Sequence, residues 1–285
     1  MRTNKKIILE IEDLEKNFDE FQLKIPNLSI YEGECVGLIG ENGAGKTTLI
    51  KLILSLINKD KGEIKVFESN TINTPIKEEI GVVFDQCSYS GLLCIRELNK
   101  ILKRIYINKW NENQFISDVK KQGLSLEKEI STFSQGMKAK LDIISAFAHS
   151  PKLLILDEAT SNLDPVIRRE INEEIRNYTD KTGCTILFSS HLVNELELIC
   201  DRIFLIDVGS IILETSPDEL KSNYYIANID INSDIPNETI SIIKKENYLS
   251  CLMYGVPNDI DGKSITKGVS VDDLMYYLKR GVKVI

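Results

Sequence analysis

The chain has 285 residues, 42% of them apolar, with a formal charge of −8 and six cysteines. That length and apolar content make a sizeable core in one or two domains and exclude disorder as the default, while the negative charge excludes a general attraction for a nucleic-acid backbone. No run of about 18 apolar residues occurs, and the N-terminus Met1-Arg2-Thr3-Asn4-Lys5-Lys6-Ile7-Ile8-Leu9-Glu10 meets an acidic residue too soon for a signal-peptide core, so a chain soluble in the cytoplasm is expected.

From Ile7 to Glu34, short apolar runs broken by charge and by Pro26 predict two or three early strands with turns. Glu34 to Ile39 is a strand candidate that runs into Gly40-Glu41-Asn42-Gly43-Ala44-Gly45-Lys46-Thr47, a match to the phosphate-loop pattern G-x-x-x-x-G-K-S/T. Thr48 to Ile57 then places Leu49, Leu52, Ile53 and Leu56 at helical spacing. In this strand, loop and helix context the backbone N–H groups can cradle phosphate and the Lys46 ammonium is a compact point charge for it. Thr47 offers an oxygen to a hard cation.

Gly62 to Phe67 and Glu79 to Phe84 are short strand candidates joined by a polar link. From about Leu92 to Lys128 the pattern turns helical, with Ile101, Ile105, Phe115 and Val119 among polar residues, which predicts a helical insert in an α/β body with Trp110 as a packing residue. Phe133-Ser134-Gln135-Gly136-Met137 precedes a helical stretch from about Met137 to Ala148. Taken alone Ser134 and Gly136 read as a helix cap; the same hydroxyl and open N–H groups also form an anion site.

Leu153 to Leu156 is wholly apolar, as a central parallel strand covered on both faces should be, and it ends in Asp157 and Glu158. Ligands of open parallel sheets bind beyond that end. Asp157 can hold Mg²⁺ directly or through water, and Glu158 can orient, or take a proton from, water attacking a γ-phosphorus; a solvated strand end is the plain alternative. A helix from Pro165 to Tyr178, a strand from Cys184 to Phe188, a helix from His191 to Ile199 and a strand from Arg202 to Ile206 continue the α/β alternation. His191 lies past the end of a buried strand, where a ring nitrogen can bond a γ-phosphate oxygen or act as a cap or core residue. His149, near a helix end, reads as a capping or surface residue. After about Leu220 the register is hard to follow. There Val271, Leu274, Met275 and Leu278 share one helical face, which predicts a small C-terminal appendage packed through it. The six cysteines, Cys35, Cys87, Cys94, Cys184, Cys200 and Cys251, form no C-x-x-C pair and read as reduced, mostly buried thiols.

In order and spacing these segments resemble the ATP-binding cassette (ABC) ATPases, the motor subunits of membrane transporters, over about residues 7 to 220. Residues 40 to 47 match the Walker A motif and 153 to 158 Walker B. Phe133 to Met137 is similar to the signature written L-S-G-G-Q, Ser161-Asn162-Leu163-Asp164 matches the loop after Walker B, and His191 falls at the switch histidine. The resemblance implies an α/β P-loop NTPase core with an antiparallel β subdomain, an inserted helical subdomain at about 90–148 and a small C-terminal extension, divided as 1–224 and 225–285. By the same resemblance ATP is bound by Gly40, Glu41, Asn42, Gly43, Ala44, Gly45, Lys46, Thr47 and Thr48, and Mg²⁺ by Thr47, Asp157 and Asp85. Lys46, Glu158 and His191 serve catalysis, with Glu158 as general base. Two cassettes would face each other so that Ser134 and Gly136 of one reach the γ-phosphate held by the other, with Asp164 linking the paired sites. Phe18, in Leu14-Glu15-Lys16-Asn17-Phe18, looks like the aromatic residue that stacks on adenine, with a core position as its other reading.

Two departures stand out. Where the family places glutamine, after Ile80-Gly81-Val82-Val83-Phe84, this chain has Asp85 followed by Gln86, and either fits the role; Gln135 and Met137 replace the glycine and glutamine of the signature. The C-terminal part resembles single-cassette ATPases of bacterial exporters. That implies a separate membrane permease, a second ATPase subunit (the same or different), a place at the inner face of the membrane, and export of a drug, peptide or polysaccharide. A non-transport cassette ATPase of translation or repair, or a nucleotide-gated regulatory subunit with weak hydrolysis, is the alternative.

Overall fold

The computed structural model describes residues 5–70, 73–87, 89–255 and 264–283, so Met1 to Asn4, part of the stretch read against a signal peptide, lie outside the described residues. The chain divides into two compact units, Met1–Leu213 and Glu214–Ile285.

The first unit opens with β1 (Ile7–Asn17) and β2 (Gln22–Tyr31), an antiparallel pair, and β3 (Cys35–Ile39), whose five residues are all buried. Helix α1 (Lys46–Ile53), strand β4 (Lys61–Val66), the short α2 (Thr74–Lys77) and β5 (Ile80–Val83) follow. Then come α3 (Ile95–Ile105), α4 (Glu112–Lys121), a 3-10 turn at Ile130–Thr132 and α5 (Gln135–Phe147). Strand β6 (Leu153–Asp157) leads to α6 (Pro165–Thr182), β7 (Thr185–Ser190), α7 (Val193–Ile199), β8 (Arg202–Asp207) and β9 (Ser210–Thr215). These strands make one nine-stranded sheet in the order β4-β1-β2-β9-β8-β3-β7-β6-β5. From β8 to β5 the strands pair in parallel, while β1 with β2 and β4 forms an antiparallel wing. The apolar runs of β3, β6 and β7 are buried throughout, as strands covered on both faces require.

The helical insert has its own core, built on Ile95, Leu98, Leu102, Phe115, Val119 and Leu141. The expected stripe was partly wrong: Ile101 and Ile105 are 40% and 56% exposed, and the stripe three residues back, Leu98 and Leu102, faces inward. Trp110 packs as expected, its ring centroid 4.9 Å from that of Phe115 and its Nε1–H donating to Asn99 Oδ1 at 2.8 Å. Helix α1 is shorter than its apolar spacing implied. The chain turns at Ser55, with φ +54°, and leaves Leu56 58% exposed. His149 is corrected from a capping or surface residue to a core one. It is 1% exposed, stacks on Tyr106 at 4.1 Å, and its Nε2 lies 3.3 Å from the Ile80 carbonyl oxygen. Burial lowers its pKa and favours the neutral ring.

The second unit carries α8 (Pro217–Asn223), β10 (Tyr224–Asp230), β11 (Thr239–Lys244), β12 (Tyr248–Tyr254), β13 (Ile265–Lys267), α9 (Val271–Arg280) and β14 (Val282–Lys283). Its strands form an antiparallel sheet in the order β13-β10-β12-β11-β14, where the sequence offered only a helix. The buried face of α9 is Val271, Leu274 and Tyr277, with Met275 and Leu278 half-buried. The Tyr277 hydroxyl meets Ser250 Oγ at 2.6 Å and the Tyr277 carbonyl accepts from Ser241 Oγ at 2.7 Å, which pins the helix to the sheet.

All six cysteines are free thiols, four of them buried. One charged pair is also buried in the first unit: Arg202 Nη2 lies 2.8 Å from Glu34 Oε2, with side chains 4% and 11% exposed. Replacing Glu34 by alanine leaves that guanidinium buried without its carboxylate, so Glu34→Ala is expected to lower the unfolding free energy by about 3–5 kcal/mol in a denaturant titration. A loss under about 1 kcal/mol would show that the pair does not hold the start of β8 to the turn before β3.

Candidate functional site

The site grows from the C-terminal ends of β3, β6 and β7, where the parallel sheet presents loops rather than side-chain rows. After Ile39 the chain turns at Gly40, where a Cβ would sit 2.4 Å from the Ile206 carbonyl oxygen, so only glycine fits. Gly43 and Gly45 adopt φ of +85° and +110°, a backbone region that L side chains rarely enter. This path lets α1 start at Lys46 with its first N–H groups open toward the loop.

Lys46 is 5% exposed, and its ammonium donates to the carbonyl oxygens of Gly40 at 2.6 Å and Glu41 at 3.2 Å. Its third neighbour is Glu158 Oε1 at 3.0 Å, an ion pair across the loop. The other oxygen of the same carboxylate, Glu158 Oε2, accepts from His191 Nδ1 at 2.7 Å, which leaves Nε2 of that ring for another partner. Thr47 Oγ1 donates to Asp157 Oδ1 at 3.3 Å. Burial pushes the Asp157 carboxyl above the usual range, against hydrogen bonds from Ser189 and Thr47 that pull it back.

Lys46, Thr47, Asp157 and Glu158 open on a cleft of about 450 Å³, while His191 stands outside its lining and meets it through Glu158. Of the sequence-predicted residues, Glu41, Asn42, Gly43, Gly45, Lys46, Thr47, Thr48, Asp85, Asp157 and Glu158 line it. Gly40 and the 5% exposed Ala44 instead shape the loop from below, and Gln86 is exposed without lining the cleft, so of the two candidates for the glutamine role it is Asp85 that borders it. Phe18 is not a core residue. It is 47% exposed, with its ring centroid 6.1 Å from that of Phe21 and the Lys16 ammonium 5.6 Å from its face. Phe21, which the sequence reading passed over, lines the cleft, and a Cβ on Gly45 would meet its Cζ at 3.0 Å. Lys51 and Phe84 complete the lining.

Ser134, Gly136 and Asp164 lie apart from this cleft, on a second depression of about 360 Å³ shared with Gln135, Met137, Lys140 and Asn162. Ser134 Oγ accepts from the Met137 N–H at 3.2 Å and so caps α5. Asp164 Oδ1 accepts from the N–H groups of Val166 and Ile167, each at 3.1 Å, and caps α6 ahead of Pro165. Within one chain, then, the glycine loop and the serine-bearing helix start border separate depressions.

Among the described residues no cluster of three His, Cys, Asp or Glu side chains is arranged to hold a metal on its own. Thr47, Asp157 and Asp85 offer hard oxygens beside the loop, a donor set suited to Mg²⁺ shared with phosphate oxygens. No helix among the described residues is long and apolar enough to cross a membrane.

Residues 23–161 match the family model described as ABC transporter. The uncharacterized ABC transporter ATP-binding protein YdbJ of Bacillus subtilis (strain 168) is 31% identical over 281 residues, 91% of each chain. The lantibiotic transport ATP-binding protein SrtF of Streptococcus pyogenes is 34% identical over 215 residues, 74% of this chain and 92% of its own. Among solved structures, cbiO1 of Clostridium perfringens, described as part of the ABC transporter complex cbiONQ, matches with a TM-score of 0.64 and 28% identity over 75% of this chain and 90% of its own.

Asp142 on α5 is 8% exposed and borders, with Asp85, Cys87 and Lys138, a cavity of about 30 Å³. Its Oδ1 accepts from Cys87 Sγ at 3.5 Å, and burial pushes its carboxyl up to about 7. An acid whose folded pKa is raised opposes folding when it ionises, fully above about pH 7 and progressively less as pH falls toward its ordinary value of 3.8. Asp142→Asn is therefore expected to be more stable than the parent at about pH 8, by up to about 4 kcal/mol, with the gap closing near pH 4. Urea titrations across that range check it; a gap independent of pH would contradict a buried, titrating Asp142.

Proposed function

The chain belongs to the ABC transporter family of ATP-binding proteins, an ATPase whose turnover is coupled to transport, and from that premise we propose that it drives export through a separate membrane permease by closing and reopening a pair of cassettes around ATP. The observation that carries the reading is Glu158, with one oxygen at Lys46 and the other at His191. A single carboxylate is thereby tied to the phosphate-binding cation and to the residue placed to sense the γ-phosphate.

In the proposed cycle the triphosphate enters the ring of N–H groups of the glycine loop and takes the Lys46 ammonium from Glu158. Released on that side and still held by His191 Nδ1–H, Glu158 takes a proton from the attacking water as the water oxygen bonds to the γ-phosphorus and the bond to the ADP oxygen breaks. With both ring nitrogens protonated, His191 would donate Nε2–H to a γ-phosphate oxygen. Thr47, Asp157 and Asp85 would hold Mg²⁺, which neutralises charge on the β- and γ-phosphates when bound. Phe18, with Phe21 beside it, offers an aromatic face to adenine.

We assign Ser134 and Gly136 to the nucleotide of a second copy. Their depression is separate from the glycine loop of their own chain, and the Ser134 hydroxyl, which accepts from the Met137 N–H but still has its proton to give, suits a phosphate oxygen at a helix N-terminus. ATP then joins two cassettes because it gains contacts only in the closed pair, which is the differential affinity that a population shift requires. The permease would seat the pair at the inner face of the membrane, and SrtF, named for lantibiotic transport, favours a cargo of that kind.

Steady-state ATPase assays with parallel nucleotide-binding measurements test this reading. Glu158→Gln is expected to bind ATP near the parental affinity and to turn over about a hundredfold or more slowly, while Lys46→Ala loses ATP affinity, hydrolysis or both. Parental turnover in Glu158→Gln would remove the general base. A parent protein that binds ATP but shows no turnover above background would shift the reading to a nucleotide-gated regulatory subunit. Co-purification of a ribosome in place of a membrane protein would remove the transport role.

A further inference from the structure

We infer that Ser189, which no motif singles out, is a positioning residue for hydrolysis, holding Asp157 and Glu158 through one hydroxyl; the inference rests on the proposed roles of those two residues. Ser189 lies in β7 with no exposed surface, and in the parallel β6–β7 ladder it stands in register with Asp157. Side chains of paired residues share a face of the sheet, so the serine hydroxyl falls beside the aspartate carboxylate. Its Oγ donates to Asp157 Oδ1 at 2.6 Å, a short, charge-assisted bond, whereas Thr47 Oγ1 reaches the same oxygen at 3.3 Å.

A serine hydroxyl has one proton to give and two lone pairs to receive. Having given its proton to Asp157, Ser189 Oγ accepts from the Glu158 N–H at 3.2 Å, and that N–H also reaches the Ser189 carbonyl oxygen at 3.1 Å. The second contact matters because Glu158 sits at φ +54°, in the left-handed region. Glycine would relieve that backbone but would delete the carboxylate, so the surroundings must hold the glutamate there. Alternation along β7, carried one step past its end, puts residues 189 and 191 on the same side. Ser189 thus fixes the backbone from which Glu158 departs, and His191 fixes the carboxylate where it arrives.

Packing alone gives no reason for a hydroxyl here. A buried strand position accepts alanine without the cost of desolvating a polar group, and both partners of this hydroxyl belong to the Asp157-Glu158 pair. Ser189 is separate from the cleft lining, so its effect runs through Asp157 and Glu158.

The test compares Ser189→Ala, Ser189→Thr and Glu158→Gln in kcat, KM, equilibrium affinity for ATP with Mg²⁺, and thermal midpoint. Loss of a hydrogen bond to a charged group predicts a kcat for Ser189→Ala lower by about tenfold to a hundredfold. ATP affinity and KM are expected to stay within about threefold, with Ser189→Thr restoring kcat to within about threefold of the parent. Where the threonine methyl prevents folding, Ser189→Cys, which keeps a weak donor, takes its place. The inference is overturned if Ser189→Ala keeps the parental kcat, if kcat and affinity fall together with the thermal midpoint, or if the conservative variant rescues nothing. Normal turnover in Ser189→Ala beside an inactive Glu158→Gln overturns this inference alone. Normal turnover in Glu158→Gln overturns the reading beneath it.

Discussion

A buried ammonium cannot stand alone, and the architecture around the cleft follows from how that of Lys46 is compensated. With 5% exposure it is met by two loop carbonyls and by Glu158, a carboxylate carried in on a different strand. Desolvating such a charge costs several kcal/mol unless opposite charge and hydrogen bonds surround it. The glycine turn supplies the carbonyls, and the turn needs glycine at position 40 because the Ile206 carbonyl leaves no room for a Cβ. The carboxylate comes from the end of β6, which sits beside β7 and thus beside His191. An arriving phosphate competes for Lys46 with a partner already in place, so in the proposed mechanism binding and the freeing of Glu158 are one exchange.

The separation of the two depressions sets the next constraint. The serine-bearing helix start belongs to a helix whose Leu141 and Ile144 lie in the core of the insert, while the glycine loop belongs to the central sheet. The glycine loop and Ser134 border different depressions of one chain. In the proposed mechanism two copies facing each other complete both, which is why ATP is there the ligand that holds a pair together.

Much of this was legible in the sequence because the informative features are local. A glycine-rich turn between an apolar strand and a helix can be read from a dozen residues, as can an apolar strand ending in two acids or a histidine past the end of another strand. The residues that escaped depend on partners far away in the chain. Phe21 reaches the cleft because β2 lies beside the loop, Ser189 meets Asp157 through the register of β6 and β7, and His149 is buried because the end of α5 packs on β5 and Tyr106. The insert offered two apolar stripes three residues apart, Ile101 with Ile105 and Leu98 with Leu102, and periodicity could not choose between them. In the second unit Ser241 and Ser250 stand inside the sheet, bonded to Tyr277, so polar residues interrupt the alternation that would have announced strands.

The central claim is that one nucleotide is clasped between the glycine loop of one copy and Ser134 of the other. Sedimentation of the slow-turnover Glu158→Gln variant, with and without ATP and Mg²⁺, tests it most directly, with Ser134→Ala added to the same background. The account predicts that ATP doubles the sedimenting mass and that removing the Ser134 hydroxyl abolishes the doubling. A single-chain mass at saturating ATP, or a doubling indifferent to Ser134, would contradict it.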